Sequence, residues 1–401
     1  MRMEHHVVIL GASYAGIAAM RELGNRSGVR ITLVDKHPYH FFQTEGYELI
    51  SGILPFEDTI VSLYAVCANY KNVIFLNKEV ISISRDHKCV YLDNDELMYD
   101  TLVLALGSVT KHFECDTDVF NYSSGAKSLS GALRLKQFFE NELYKRLESS
   151  KKAKENFNII IGGAGLSGVE IAASMQYFFN RYYRRNALSC ASLHIHLIAS
   201  RETVLYGMKP GVIRSATKRL KKLRVKLHTH TRIVLINKHE ISLSDGSKIE
   251  FDFMIFAGGT SIAPVLSGLD LPKNERGRFT VDRYLRSSLD KDIYMIGDVA
   301  ALLDKKKKLL PPTAQTALQS GKIVGKNILC TLNGKKLKTA DVKIKGIAIA
   351  LGGHYATLDL GVVHINGYPA YLIKKVTEKL YKWPLWWLAY LGFKKIEACD
   401  I

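Results

Sequence analysis

Apolar residues in this chain gather into short unbroken runs, and several of the runs end in glycine. The first is Val7-Val8-Ile9-Leu10, closed by Gly11-Ala12-Ser13-Tyr14-Ala15-Gly16. A helix-like segment follows, and Ile31-Thr32-Leu33-Val34 then leads into Asp35. Runs of this length bounded by turns are what strands buried on both faces of a parallel sheet look like. The pattern predicts a β-α-β unit. It recurs at Asn158-Ile159-Ile160-Ile161, which enters Gly162-Gly163-Ala164-Gly165-Leu166-Ser167-Gly168-Val169-Glu170. A second helix reaches Arg185, and residues 193–199 return as a strand. Further buried strands are predicted at 100–108, 253–260 and 293–300, the first two ending at Gly107 and at Gly258-Gly259. Alternating stretches at 73–76, 79–84 and 89–92, and at 233–237, 240–243 and 248–251, read as small β elements. Helices are predicted at 127–150 and, strongly basic, at 211–223, with Lys151-Lys152-Ala153-Lys154-Glu155 as a charged linker.

The glycine turns carry the first chemical signal. A turn without side chains lets backbone N–H groups approach a pyrophosphate, and the helix behind it adds partial positive charge. Gly163, Gly165 and Gly168 complete G-x-G-x-x-G, whereas the first turn has Ser13 at the middle position. Asp35 follows Gly16 by about 20 residues, where a ribose-binding carboxylate belongs. Two such turns suggest two dinucleotides facing each other, a flavin and a nicotinamide. The second strand ends differently, in Ala199-Ser200-Arg201-Glu202. A missing acid beside an arginine suits a 2′-phosphate, and Glu202 could serve the ribose if the strand end shifts. NADH and NADPH therefore both stay open.

Composition narrows the partners. With 401 residues, 47% hydrophobic and 23% charged, the chain can hold two or three domains. A net charge of +18 favours an anionic partner, yet no nucleic-acid motif accompanies it, so none is expected. Six cysteines at 67, 89, 115, 190, 330 and 399 form no C-x-x-C pair, and no metal site is expected. Residues 1–6 leave no room for a signal peptide before the first strand, and no apolar run reaches the ~18 residues of a spanning helix.

The last part of the chain reads separately. Leu372, Ile373, Val376, Leu380 and Trp383 share one helix face, while Lys374, Lys375, Glu378, Lys379 and Lys382 share the other. Pro384 should break or kink this helix. All three tryptophans lie between 383 and 387, with Lys394-Lys395 beyond. Aromatics beside lysines suit an anchor lying on an anionic lipid surface.

The order of glycine turn, Ala105-Leu106-Gly107-Ser108, second glycine turn and Ile296-Gly297-Asp298-Val299-Ala300 resembles the two-dinucleotide-domain flavoproteins of the glutathione reductase type. Within that superfamily, Ala314-Gln315-Thr316-Ala317-Leu318-Gln319 resembles the type II NADH dehydrogenases, as do His40-Phe41-Phe42-Gln43, Gly165 to Glu170 and Ala350 to Ala356. Leu106 in place of threonine and Ala199 in place of an acid are departures. The resemblance implies an α/β fold: a discontinuous FAD-binding domain (1–125 and 280–335), an NAD(P)H-binding domain (126–279) and a membrane-associating region (336–401). It implies FAD held by Gly11, Ser13, Tyr14, Ala15, Gly16, Asp35, Lys36, Ala105, Gly107, Asp298 and Ala314. It implies the nicotinamide dinucleotide held by Gly163, Gly165, Gly168, Ser200, Arg201, Gly258 and Gly259. Glu170 would lie near the nicotinamide, and Gln315 and Gln319 where quinone meets the flavin, with Lys374 or Lys375 assisting. The activity implied is hydride transfer from NADH or NADPH to flavin, then reduction of a membrane quinone without ion pumping, at the cytoplasmic face of the cell membrane. A homodimer stays open. Sulfide:quinone oxidoreductases and proteins similar to apoptosis-inducing factor share the architecture and remain alternatives.

Overall fold

The structure, a computed structural model, describes residues 4–110, 123–148, 156–185, 193–237 and 239–398. The predicted linker at 151–155 lies outside the described residues, as do Cys115, Cys190 and Cys399.

Both β-α-β units are present, and each grows into the same arrangement. The first sheet has five parallel strands in the order Ile293–Met295, Thr101–Leu104, His5–Leu10, Val29–Asp35, Val73–Asn77. The second has five parallel strands in the order Ser123–Gly125, Phe253–Phe256, Phe157–Gly162, Leu193–Ala199, Lys226–Thr229. In each, the strand that feeds the glycine turn is central, and its side chains are almost all buried. That two-sided burial explains the unbroken apolar runs. An antiparallel meander accompanies each sheet, at Val80–Ser84, Cys89–Leu92 and Asp95–Met98, and at Ile233–Ile236, Glu240–Leu243 and Lys248–Glu250. The Asp95–Met98 strand is too polar to stand out in the sequence. Ser108–Thr110 pairs antiparallel with Thr260–Ile262 and ties one unit to the other.

The helices are α1 (Tyr14–Leu23), α2 (Gly46–Ile50), α3 (Leu63–Cys67), α4 (Leu129–Glu148), α5 (Leu166–Arg185), α6 (Pro210–Leu223), α7 (Ala314–Leu332) and α8 (Tyr368–Glu397). Helix α7 lies close against α1, and its small residues permit this: a Cβ on Gly321 would fall 2.2 Å from Ala15 O. A third sheet, Ile347–Ala350, Ala356–Asp359 and His364–Gly367, precedes α8.

Helix α8 departs from expectation at its proline. It continues through Pro384 instead of breaking there. Proline removes the hydrogen bond to the Leu380 carbonyl, but Pro384 and Leu380 are both exposed, so water can take that carbonyl. Its apolar face is the outer one, as an anchor on lipid would need, and its charged face is the inner one. Ala370, Lys374, Glu378, Lys382, Leu385, Ala389 and Gly392 point inward, whereas Leu372, Ile373, Val376, Leu380, Trp383 and Trp387 are exposed. Gly392 lets α8 touch α3, since a Cβ there would meet Ala65 O at 1.7 Å. Among the described residues no helix is long and apolar enough to cross a membrane.

Candidate active site

The two glycine turns are built alike. Gly11 and Gly163 hold positive φ, +101° and +122°. A Cβ on Gly11 would lie 2.4 Å from Ala105 O, and one on Gly163 would lie 2.5 Å from Gly258 N. A Cβ on Gly16 or Gly168 would meet the carbonyl of Gly11 or Gly163 at 1.8 or 1.9 Å. Only glycine fits at these four positions. Around the rims, Gly107, Gly165 and Gly259 border open space. Ser13 caps α1 without a side-chain hydrogen bond, so the helix start keeps donors for an anionic ligand. Two cradles that exclude a Cβ at their base and stay open at the rim fit two dinucleotides.

Around the first cradle, Asp35 accepts from the backbone N–H of Ala12 at 2.7 Å and of His37 at 2.9 Å. Burial pushes its carboxyl pKa up, against the pull of those two donors. Lys36 pairs with Glu79 at the surface, 3.0 Å away. Tyr14 bonds Thr44 at 3.1 Å and stacks on Tyr381 of α8 at 4.9 Å. Asp298 accepts from Ser108 Oγ and from Lys127 Nζ, the latter at 3.2 Å. Ala314 opens α7, whose start is closed by a reciprocal capping box of Thr313 and Thr316.

Gln315 and Gln319 do share one face of α7, and the structure shows what that face meets. Gln315 donates to Gly346 O at 2.7 Å and accepts from Lys345 N–H at 3.1 Å. Gln319 donates to Lys343 O at 2.8 Å and accepts from Lys343 N–H at 3.2 Å. The two amides thus clamp the extended segment 343–346 onto α7.

In the second cradle Ser200 and Arg201 are exposed just beyond the strand end, and the Arg201 guanidinium lies 5.2 Å over the Tyr206 ring. Glu170, one turn into α5, has a side chain only 13% exposed and turns toward α8. Its Oε1 accepts from Ala350 N–H at 3.0 Å and from Lys374 Nζ at 3.1 Å. Lys374 also reaches Glu378 at 3.1 Å. Lys375 lies 2.9 Å from Glu378, 3.8 Å from Glu45 and in contact with Glu48. Lys382 sits 2.6 Å from Glu45 Oε2, outside hydrogen-bond alignment, and donates to Asp58 O at 3.1 Å. Four carboxylates and three ammonium groups from four elements therefore form one network, every member less than a fifth exposed.

The electrostatics follow from burial and pairing. Burial and the neighbouring Glu378 push Glu45 up to about 7, against Lys382 and Lys375. Burial also raises Glu170, and Lys374 opposes it. Burial alone would raise Glu378, but Lys374 and Lys375 together carry it below its ordinary value. Burial disfavours charge on those two lysines, yet their carboxylate partners hold both above the ordinary lysine range. Beside the network His40 is buried, which pushes it down to about 3, and its Nε2 meets Tyr381 OH at 3.0 Å.

Of the residues singled out from sequence, Glu170, Lys374 and Lys375 come together in this network. Glu45, Glu48, Glu378 and Lys382 belong to it as well, although the sequence places Glu378 and Lys382 only on a charged helix face and assigns none of the four to the site. Their only sequence trace is the i,i+4 spacing of Lys374, Glu378 and Lys382, which in isolation reads as a solvated face.

The sequence matches the pyridine nucleotide-disulphide oxidoreductase family over residues 5–321. Along almost its whole length the chain is similar to the type II NADH:quinone oxidoreductase of Staphylococcus haemolyticus, 28% identical, covering 93% of this chain and 94% of that protein. Among solved structures it is similar to NDH2 from Plasmodium falciparum in complex with NADH, with a TM-score of 0.86, 18% identity and 98% of each chain covered. It is also similar to the sulfide:quinone oxidoreductase of Aquifex aeolicus, with a TM-score of 0.79, 20% identity, and 95% of this chain and 91% of that chain covered. The family match takes in both glycine cradles and the Gly297-Asp298 turn. This chain belongs to the pyridine nucleotide-disulphide oxidoreductase family.

Proposed function

We propose that this protein is a type II NADH:quinone oxidoreductase, taking electrons from a reduced nicotinamide dinucleotide and delivering them to a membrane quinone. The observation that carries this reading is the near full-length likeness to curated relatives of that name, with both cradles intact. FAD, when bound, supplies the chemistry, accepting a hydride and releasing two electrons to the quinone. Gly11, Ser13, Tyr14, Ala15 and Gly16 hold its pyrophosphate side, Asp35 and Lys36 its ribose, and Ala105, Gly107, Asp298 and Ala314 its remaining length. Gly163, Gly165, Gly168, Ser200, Arg201, Gly258 and Gly259 hold the nicotinamide dinucleotide. Glu170 lies near the nicotinamide, its charge set by Lys374, while Gln315 and Gln319 line the quinone side with Lys374 or Lys375 assisting there. The discontinuous FAD-binding domain (1–125, 280–335), NAD(P)H-binding domain (126–279) and C-terminal region (336–401) divide the work accordingly.

The exposed apolar face of α8 rests on an anionic lipid surface, where Trp383 and Trp387 take the headgroup level. The protein is then peripheral, on the cytoplasmic face of the cell membrane. A homodimer through the same face is the competing use of that surface. Sulfide chemistry would need paired cysteines near the flavin. The described cysteines, Cys67, Cys89 and Cys330, are all free.

The test is steady-state oxidation of NADH by the purified yellow protein with a short-chain quinone. Turnover must rise severalfold with quinone. A rate no faster than without it refutes the reading, and sulfide-dependent quinone reduction independent of nicotinamide would replace it.

A further inference from the structure

The chain contains its own internal control for the second cradle. Gly11 N–H donates to Val34 O, and Gly163 N–H donates to Ile198 O. This register makes the next residues equivalent: Asp35 in the first cradle stands where Ala199 stands in the second. Lys36 and His37 then correspond to Ser200 and Arg201. In the first cradle the Asp35 carboxylate reaches back to Ala12 N–H at 2.7 Å. Ala199 offers no such carboxylate. The strand pairing is kept all the same: Asp35 pairs in parallel with Asn77, and Ala199 with Thr229.

We propose that the second cradle binds NADPH, with the Ser200 hydroxyl and the Arg201 guanidinium holding the 2′-phosphate and Ala199 removing the charge that would repel it. The location of the nicotinamide nucleotide rests on the functional reading above. Arg201 is exposed and forms no ion pair with Glu202 or any other carboxylate among the described residues. Its guanidinium lies over the Tyr206 ring, 5.2 Å from the centroid. A cation–π contact of this kind leaves guanidinium N–H groups available, and they match a phosphate two bonds at a time. Lys209, the next lysine along the chain, is paired with Asp359 at 3.0 Å. A carboxylate at position 199 would do the reverse, accepting from a ribose hydroxyl and opposing a dianion.

The test is titration calorimetry on the FAD-loaded full chain with adenosine 2′,5′-bisphosphate and with 5′-AMP, alongside kcat/KM for NADPH and NADH. The 2′-phosphate should tighten binding at least about tenfold, the scale of one charge-assisted pair. Arg201→Gln should remove that advantage, and Ala199→Asp should reverse it. The NADPH:NADH ratio of kcat/KM should fall in both variants. Equal binding of the two probes by the native protein overturns the inference, and so does an advantage that Arg201→Gln leaves in place. If NADH drives quinone reduction while the 2′-phosphate brings no gain, this inference alone fails. If neither nucleotide drives quinone reduction but the Arg201-dependent preference persists, the functional reading fails and the 2′-phosphate site stands.

Discussion

Replacing Lys374 by methionine asks what holds α8 to the rest of the molecule. The methionine keeps the stem volume and removes the charge. Lys374 Nζ lies 3.1 Å from Glu170 and 3.1 Å from Glu378, with the two carboxylate side chains 13% and 7% exposed. Removing one partner from a buried pair costs about 3–5 kcal/mol, because the other charge remains in a dry site. The loss should appear as weakened docking of α8. Hydrogen exchange of α8 amides should therefore speed up roughly a hundred- to several-thousand-fold at pH 8. The pH dependence has a definite sign. In the native protein the lysines hold Glu378 below its ordinary value of 4.5, so its contribution is present above pH 4.5 and is lost as pH falls through the lower folded value. Without Lys374 the folded values of Glu170 and Glu378 both rise, so the penalty grows as pH climbs above about 4.5 and is smaller at pH 5 than at pH 8. Adding Glu170→Gln to the variant should recover part of the loss, on the scale of about 0.5–3 kcal/mol. Unchanged α8 protection in Lys374→Met at pH 8 would refute the reasoning, because the network would then not be what secures the helix.

Three further outcomes are expected. Gly11→Ala should yield protein without its yellow colour, since a Cβ would strike Ala105 O at 2.4 Å at a φ of +101°; full flavin retention by absorbance would contradict the cradle. Thr313→Ala should lower stability by about 1 kcal/mol through loss of the α7 capping box, read from the urea midpoint. Leu380→Glu, on a residue 67% exposed, should leave the fold and its melting temperature nearly unchanged while abolishing flotation with anionic vesicles; vesicle binding that survives would point to another surface.

Both cradles were legible in the sequence because their physics is local. A strand buried on both faces must be apolar throughout, and a turn at positive φ beneath a close carbonyl must be glycine, so each writes itself into a few consecutive residues. Val7 to Gly16 and Ile159 to Gly168 needed no tertiary information, and the odd strand end at Ala199 was visible in the same way. For α8 the sequence suggested an apolar face turned to lipid, but not what the charged face would meet. Its periodicity states that two faces differ and says nothing of the charged face's partners. Only packing decided those, by bringing Glu45 and Glu48 from one unit and Glu170 from the other against Lys374, Lys375 and Lys382. Gln315 and Gln319 follow the same rule: their spacing declared a shared face, and only the path of residues 343–346 along α7 determined what that face holds. Partners 24 to 327 residues apart leave no mark in local spacing, so ion pairs and clamps of this kind belong to the tertiary structure alone.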